Sequence, residues 1–241
     1  MSLRAALLFG LVAATAACAG RAPQAAAPSA EGYLEAAKRV SALRRGQEPF
    51  TDEIAVELEA PYLPGGLRAR GAVAVRPETR ELRMILLGPG GTTALDVWIG
   101  RERYVMTIPA QDRTKAGALT DAPETRRGLP VDFLSWWLFQ PGEGEVLFGQ
   151  RTERGFSAWL RQGQRITELG FGPGEQLAAR RVSWSSAPEG GVLDEETLSA
   201  TSLGCGQATY HQKSINLTVR IECLGRRPGA RDAAFTPPEA R

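Results

Sequence analysis

Apolar and polar residues alternate with a period of two along much of the chain between residues 54 and 108. Ile54, Val56 and Leu58 begin the pattern, and four more runs follow it at 67–76, 82–87, 95–99 and 103–108. Turn-forming glycines and prolines separate the runs, as in the segment Gly88-Pro89-Gly90-Gly91. Short alternating runs at even spacing predict half-buried strands, and their series predicts an antiparallel meander.

A helical pattern precedes these strands. Between Glu31 and Arg45, apolar residues recur at three-residue steps with charges between them, at Leu34, Ala37, Val40 and Leu43. This spacing predicts an amphipathic helix that covers a sheet and ends with Gly46 as its C-cap.

The middle of the chain has no alternating pattern. Residues 110–128 are polar and turn-rich, which predicts a long mobile loop. Residues 129–141 (LPVDFLSWWLFQP) follow, with Pro130 suited to a first helical turn and Pro141 to its end. This segment is apolar nearly all round, so we predict a short helix that is buried on more than one side.

Strand patterns resume after this helix. We predict strands near 145–148, 156–161, 165–171 and 177–185, then a polar stretch at 189–201 that interrupts them. The cleanest alternation lies at 214–224, where Ile215, Leu217, Val219, Ile221 and Cys223 share one face. The Pro- and Arg-rich residues 225–241 predict a loose end.

The N-terminus has the layout of a targeting segment. Arg4 gives a positive start, Ala5 to Ala14 form an apolar run too short to span a bilayer, and small residues lead to Cys18. A cysteine directly after two alanines resembles the lipobox of bacterial lipoproteins, although Thr15 stands where that family usually has leucine. A general secretory signal with an incidental Cys18 has the same layout.

Composition excludes several kinds of function. The net charge of +2 gives no argument for a nucleic-acid partner, and the single histidine, His211, disfavours His-based catalysis and His-rich metal sites. The chain carries no Gly-x-Ser-x-Gly elbow, Ser-x-x-Lys motif or His-Glu-x-x-His motif. We therefore expect a protein that is not an enzyme and has no cofactor and no metal.

Two cysteines, Cys205 and Cys223, remain beside Cys18. In an exported domain an even pair most simply forms a disulfide, which would add roughly 3 kcal/mol by the loop-entropy estimate. A zinc site needs more ligands than this pair and His211 offer. Catalytic Cys–His chemistry is conceivable with the same residues, but an oxidising compartment would consume the thiols first.

Two stretches resemble the LolB/LolA lipoprotein-localisation family, particularly its LolB-like outer-membrane members. One is 67–108, with GLRARGAVAV, RMILLGPGGTTALDVWIG and RYVMTI; the other is 128–148, GLPVDFLSWWLFQPGEGEVLF. The resemblance covers residues 31 to about 185. It implies a mainly β (α+β) fold: an open, strongly curved antiparallel sheet, or half-barrel, with an N-terminal helix and a short helical lid.

The resemblance also implies an apolar cavity for acyl chains between the sheet and the lid. The residues expected to line it are Leu86, Val97, Ile99, Tyr104 and Met106 on the strands and Phe133, Trp136 and Trp137 on the lid. The same residues would equally serve a filled core that the helix plugs.

LolB-like proteins also have a protruding loop whose exposed leucine helps to deliver cargo to the membrane. Leu86 and Leu87, next to Gly88, are the nearest match in position. The alternative is that these two leucines simply end a strand.

Together these patterns divide the chain into a signal peptide at 1–17, a lipidated flexible tether at 18–30, a LolB-like domain at 31–225 and a tail at 226–241. The resemblance implies a monomer anchored in the outer membrane and facing the periplasm. Its expected partners are membrane lipid, lipoprotein acyl chains or phospholipid, and a periplasmic carrier protein. The alternative is a structural or assembly lipoprotein with a filled core that binds an envelope protein.

Overall fold

The computed structural model describes residues 28–44, 48–61, 63–121, 130–139, 142–153, 155–174, 176–185, 190–201 and 205–238. Over these ranges the strands form one continuous antiparallel sheet of thirteen strands, with two α-helices packed against it. The sheet is open and curved, which confirms the mainly β, LolA/LolB-like architecture expected from the sequence.

The helices are α1, Ala30–Arg44, and α2, Pro130–Leu138. The strands, in chain order, are β1 Phe50–Ala60, β2 Leu63–Arg76, β3 Glu81–Leu87, β4 Thr93–Ile99, β5 Arg103–Ile108, β6 Arg113–Ala118, β7 Glu145–Thr152, β8 Gly155–Gln162, β9 Arg165–Phe171, β10 Leu177–Trp184, β11 Val192–Ala200, β12 Gln207–Gln212 and β13 Leu217–Pro228. Within the described ranges, neither helix has the length and apolar character that crossing a bilayer requires.

The sheet consists of two meanders joined at their ends. Strands β1 to β6 follow one another outward on one side, and β7 to β13 return on the other, so β1 pairs with β13 at the centre. Asp52 and Arg226 face each other across this seam, and the Arg226 guanidinium donates to both carboxylate oxygens at 2.7 and 2.8 Å. Asp52 is almost fully buried, so this pair holds the two meanders together at a desolvated position.

The two faces of the sheet differ in polarity. Val73, Met84 and Val97 lie opposite one another on β2, β3 and β4, and all three are buried on the face that the helices cover, which we call the inner face. The outer face carries charged pairs such as Arg83 and Asp96, joined at 2.8 and 3.0 Å. This inside–outside alternation is what the period of two predicts.

Helix α1 packs on β7 through a stripe different from the predicted one. Ala36, Val40 and Leu43 are buried, whereas Leu34 is 66% exposed. Three steps of three residues rotate the side chain by about 180° around a helix of 3.6 residues per turn, so Leu34 and Leu43 cannot share a face. The predicted C-cap, Gly46, lies outside the described residues.

Three strands lie where the sequence predicted none. β6 occupies part of the predicted loop 110–128, β11 occupies the predicted polar interruption 189–201, and β12 follows it. The inner-face positions of β6 include Lys115, and those of β11 include Asp194 and Glu196, so polar side chains hide the alternation there. Charged residues are common on edge strands such as β6, because they discourage pairing with other chains.

The C-terminal segment is not a loose end over the residues that the structure describes. β13 continues to Pro228, and a 3₁₀ turn at Asp232–Phe235 packs on the outer face. The Phe235 side chain is buried beneath the Arg76 guanidinium, 4.1 Å from the ring centroid, and the Phe235 carbonyl accepts a 3.0 Å bond from the Trp98 indole. The predicted tail 226–241 therefore contributes a strand end and an aromatic anchor.

We predict that Phe235→Ala lowers the free energy of unfolding by about 3 kcal/mol, because it removes a buried ring and leaves a cavity. Urea unfolding followed by tryptophan fluorescence measures this change. The matched control is Thr236→Ala at the exposed neighbouring position, which we expect to change stability by less than about 0.5 kcal/mol. Equal stability of Phe235→Ala and the wild type would contradict the packing described for this segment.

Candidate functional site

Helix α2 lies against the inner face and buries several sides of its surface. Val131, Phe133, Leu134, Trp136 and Leu138 are all buried, as the apolar character of the segment predicted. The Phe133 ring lies 4.6 Å from the ring of Tyr210 on β12 and stacks on Trp137 at 6.0 Å. Pro130 occupies the first turn, where its missing N–H costs no helical hydrogen bond.

The structure brings the eight predicted cavity residues together. Leu86, Val97, Ile99 and Tyr104 lie on the inner face of β3 to β5 and are almost fully buried, and Met106 packs half-buried beside them. Phe133 and Trp136 are buried and Trp137 is half-buried in the same apolar cluster. These side chains are close-packed in this structure, so their role in holding an acyl chain stays a prediction.

The two leucines of the predicted delivery loop lie on opposite faces of β3. Leu86 is buried on the inner face, whereas Leu87 is 42% exposed on the outer face. The turn that follows, Pro89–Gly91, is formed by exposed residues. Only Leu87 is therefore placed where it can contact a membrane, and its role there stays a prediction.

A cleft of about 730 Å³ opens beside α2, between the helix and the turns of the sheet. Its walls are more polar than the predicted cavity. The apolar members are Ile99, Leu119, Trp136 and Phe139, and the charged members are Arg80, Arg101, Arg165, Arg181, Glu78, Asp132 and Glu143. The volume lies in the range of small-molecule sites, so this cleft beside α2 is a candidate site.

Three of the cleft arginines contact α2 or the segment that follows it. Arg181 lies over the Trp136 ring at 4.5 Å, and Arg165 approaches the Asp132 carboxylate at 3.6 Å. Arg80 forms an ion pair with Glu143 and lies 5.8 Å from the Phe139 ring centroid. These arginines therefore connect the sheet and its turns, on one side of the cleft, to α2 and the segment that follows it.

A buried polar network lies next to Trp136. Arg181 donates to both oxygens of Glu196 at 2.6 and 2.7 Å, and the Tyr210 hydroxyl donates to Glu196 at 2.7 Å. All three residues are at most 6% exposed. Removing Arg181 or Glu196 would leave the opposite charge desolvated without its partner, so the network fixes the register of β10, β11 and β12.

Burial and charge act in opposite directions on these groups. Desolvation alone would raise the pKa of Glu196, but the Arg181 charge and the hydrogen bonds from Arg181 and Tyr210 outweigh it and hold that pKa below its ordinary value of 4.5. Desolvation and the adjacent Glu196 charge both raise the pKa of Tyr210, so its phenol stays protonated. At neutral pH the network thus contains one anion, one cation and one neutral hydroxyl.

The indole N–H of Trp136 is the one buried side-chain polar group among the described residues that has no hydrogen-bond partner. Trp136 is 5% exposed and lines the cleft. Buried N–H groups are nearly always paired, so this group marks a place where an additional acceptor would be stabilised.

The predicted disulfide between Cys205 and Cys223 is confirmed. It closes a loop of 18 residues between the turn before β12 and the adjacent strand β13. The Asp52 carboxylate lies within 4.8 Å of both sulfur atoms, but the sulfurs are bonded to each other and Asp52 is paired with Arg226. These atoms therefore form structural contacts at the central seam, where β1 pairs with β13. His211 lies apart on the outer face, where its Nδ1 is 3.1 Å from the Thr218 hydroxyl.

Sequence reasoning missed the charged half of the site. Arg165 and Arg181 lie on the inner face of two predicted strands, and Glu196 lies on the inner face of β11, within the stretch that was predicted to be a polar interruption. A signal existed, because Leu177, Ala179, Arg181 and Ser183 form one alternating face of a predicted strand, and an arginine on such a face requires a buried partner. Cys18 lies outside the described residues.

Comparison with known proteins gives a fold and no closer relationship. No family model matches this chain, and no curated protein matches it. Among solved structures, a "putative outer membrane lipoprotein-sorting protein domain" from Vibrio parahaemolyticus matches with a TM-score of 0.53 and 12% identity, covering 86% of this chain and 97% of that one. A DUF1329 family protein from Desulfovibrio piger matches with a TM-score of 0.51 and 11% identity, covering 87% and 98%.

A LolA superfamily protein from Nitrosomonas europaea matches with a TM-score of 0.46 and 11% identity, covering 88% and 99%. Its TM-score is the lowest of the three, and no argument rests on this match. The first two matches confirm that the fold of this chain is LolA/LolB-like, as the resemblance of residues 67–108 and 128–148 implied. At these identities the likeness concerns the fold alone.

We predict that Glu196→Gln destabilises the protein by about 3 kcal/mol or more at pH 7, because it leaves the Arg181 charge buried without a carboxylate. A carboxylate with a lowered folded pKa contributes stability above its unfolded value of 4.5, and this contribution is lost as the pH falls through the folded pKa. The difference between the wild type and Glu196→Gln should therefore shrink as the pH falls below 4.5.

Urea unfolding at a series of pH values tests this prediction. Glu195→Gln is the matched control, because the neighbouring Glu195 pairs with Arg180 and Lys213 on the outer face. A difference between wild type and Glu196→Gln that stays constant from neutral to acid pH would contradict an ionised, buried Glu196.

Proposed function

We propose that this chain binds acyl chains of lipids or lipoproteins between the inner face of its sheet and α2. The observation that supports this proposal is the continuous apolar inner face of β2 to β5, which a short and almost entirely apolar helix covers. The role is binding and transfer rather than catalysis.

The helix is suited to act as a movable cover. α2 has nine residues, and isolated helices of this length are marginal in water. Its position therefore depends on contacts such as those of Phe133 with Tyr210 and Trp136 with Arg181. A displaced α2 would expose the inner face to an acyl chain, and each methylene that then enters contributes about 0.8 kcal/mol.

The structural neighbours support this direction. The name of the Vibrio parahaemolyticus domain refers to lipoprotein sorting at the outer membrane. Its TM-score of 0.53 is higher than the 0.51 of the Desulfovibrio piger protein. We extend to this chain a role in receiving lipoproteins from a periplasmic carrier and inserting them, or in carrying lipids, at the outer membrane. We propose that Cys18 is the lipidated residue that anchors it there, facing the periplasm.

A second function is favoured by a different observation. Val97, Ile99 and Leu134 are fully buried in one close-packed cluster, as expected if the core is filled. The chain would then be a structural or assembly lipoprotein that binds an envelope protein through its surface. Acyl-chain binding by the purified protein separates the two functions.

We predict that Met106→Glu weakens binding of a dansyl-labelled fatty acid by about tenfold or more, because a carboxylate on the inner face must be desolvated beside the chain. Thr107→Glu is the matched control, since the next residue on β5 points to the outer face. Fluorescence titration of both variants and of the wild type measures the effect, and near-ultraviolet circular dichroism verifies that each is folded.

If the wild type binds no fatty acid, and native mass spectrometry of gently purified protein finds no co-purifying phospholipid or lipopeptide, the result contradicts acyl-chain binding and supports the alternative with a filled core. Equal loss of affinity in Met106→Glu and Thr107→Glu would place the ligand somewhere other than the inner face.

We predict that Cys18→Ser abolishes incorporation of labelled palmitate and moves the protein from the membrane to the soluble fraction. The acyl chains on the lipidated residue supply the membrane affinity, so a protein that loses this residue retains little of that affinity. Metabolic labelling followed by membrane fractionation measures both effects. Ser2→Ala serves as the control, and membrane association of Cys18→Ser equal to that of wild type would refute the anchor.

A further inference from the structure

The charges that line the cleft beside α2 fall into paired and unpaired groups. Arg181 is bound by Glu196, Arg80 by Glu143, and Arg165 approaches Asp132. Arg101 and Glu78 also line the cleft, and neither has an ion pair or a side-chain hydrogen bond within the described chain. The cleft thus presents one guanidinium and one carboxylate that are free to meet opposite charges on a ligand.

These two residues lie on neighbouring turns of the sheet. Glu78 is in the turn between β2 and β3, and Arg101 is in the turn between β4 and β5. Leu82 pairs with Ile99, so both turns lie at the same end of adjacent hairpins. Both side chains are exposed to solvent, so a ligand that enters the cleft can reach each of them directly.

The cleft lining also includes apolar residues. Ile99 and Trp136 line the cleft, and both also belong to the apolar cluster between α2 and the inner face. The indole N–H of Trp136, a residue only 5% exposed, has no hydrogen-bond partner among the residues that the structure describes. The cleft therefore combines charged side chains with residues of the apolar region that the proposed function assigns to acyl chains.

We infer that the cleft binds the zwitterionic head group of an amphiphile, with Arg101 binding its phosphate or carboxylate and Glu78 its amine. Guanidinium groups bind such anions through two parallel hydrogen bonds, and a carboxylate is the matching partner for an ammonium group. The balance of charge in the cleft favours a zwitterion over a multiply charged anion, because the other lining charges already neutralise one another. A volume of about 730 Å³ accommodates a head group with the start of its chain.

This inference rests on the proposed function, because it assigns the head group of a ligand whose chain lies under α2. The experiment uses the full chain and three amphiphiles with the same acyl chain, each below its micellar concentration. They are lysophosphatidylethanolamine (zwitterionic), lysophosphatidate (anionic) and monoacylglycerol (uncharged). Free phosphoethanolamine, titrated by calorimetry, tests whether the head group alone is the ligand.

The variants are Arg101→Gln and Glu78→Gln. Arg103→Gln is the matched control, because Arg103 lies on the outer face of the same hairpin, over the Trp98 ring at 5.6 Å. We expect Arg101→Gln to weaken binding of lysophosphatidylethanolamine by about tenfold and to leave monoacylglycerol unchanged. Glu78→Gln should weaken the zwitterion and leave lysophosphatidate unchanged, and Arg103→Gln should change none of the three.

Three results would overturn the inference. If Arg101→Gln and Glu78→Gln both bind lysophosphatidylethanolamine with wild-type affinity, the head-group inference is overturned, whereas the proposal of acyl-chain binding is unaffected. A parallel loss for all three amphiphiles would show a general effect on packing. Binding of phosphoethanolamine as tight as that of the whole amphiphile would assign the cleft to a free metabolite. If none of the three amphiphiles binds to the wild type, the proposed function itself fails, and the two failures are thus distinguished.

Discussion

The contact between α2 and the inner face is the interaction on which the rest of the structure depends. A single curved sheet can bury one face only if another element covers it, and here the covering elements are two short helices. α1 lies on β7, so the middle of the inner face relies on α2. The aliphatic side chains on the inner face of β3 to β5 are therefore buried on the condition that Phe133 and Trp136 stay in place.

The same helix packs against charged residues as well as apolar ones, which restricts its orientation on the sheet. Phe133 packs towards Tyr210, whereas Trp136 lies beneath the Arg181 guanidinium. A purely apolar surface would hold a short apolar helix in several orientations of similar energy. The ion pair between Arg181 and Glu196 limits these orientations, because any arrangement that opened the network would leave a charge desolvated.

The alternating pattern predicted an antiparallel sheet and most of its strands, the family resemblance implied the open curvature, and neither predicted the polar part of the site. Strands β1 to β5 alternate clearly, because most of their inner-face positions are apolar, and β7 to β10 were also predicted although Arg165 and Arg181 occupy inner-face positions. β11 was missed because its inner-face positions carry Asp194 and Glu196, whose burial depends on Gln212 and Arg181 from neighbouring strands. Such partners are distant in the sequence, so no local pattern reports them. The cleft likewise combines turns, strands and a helix that are distant in the sequence, and its residues share no motif.

The order of the strands has a consequence for how the chain acquires its structure. β1 is the first of the described strands to be synthesised, yet one of its neighbours, β13, is the last of them, and Asp52 and Arg226 are 174 positions apart. At 5–20 residues per second, roughly ten seconds or more separate the synthesis of these partners. Each meander can form from local hairpins during that interval, whereas the central seam must close last, against the entropy of a very long loop. Until then one side of β1 is an open edge, and the nascent chain is most exposed to wrong pairing at the strand that ends up at the middle of its sheet.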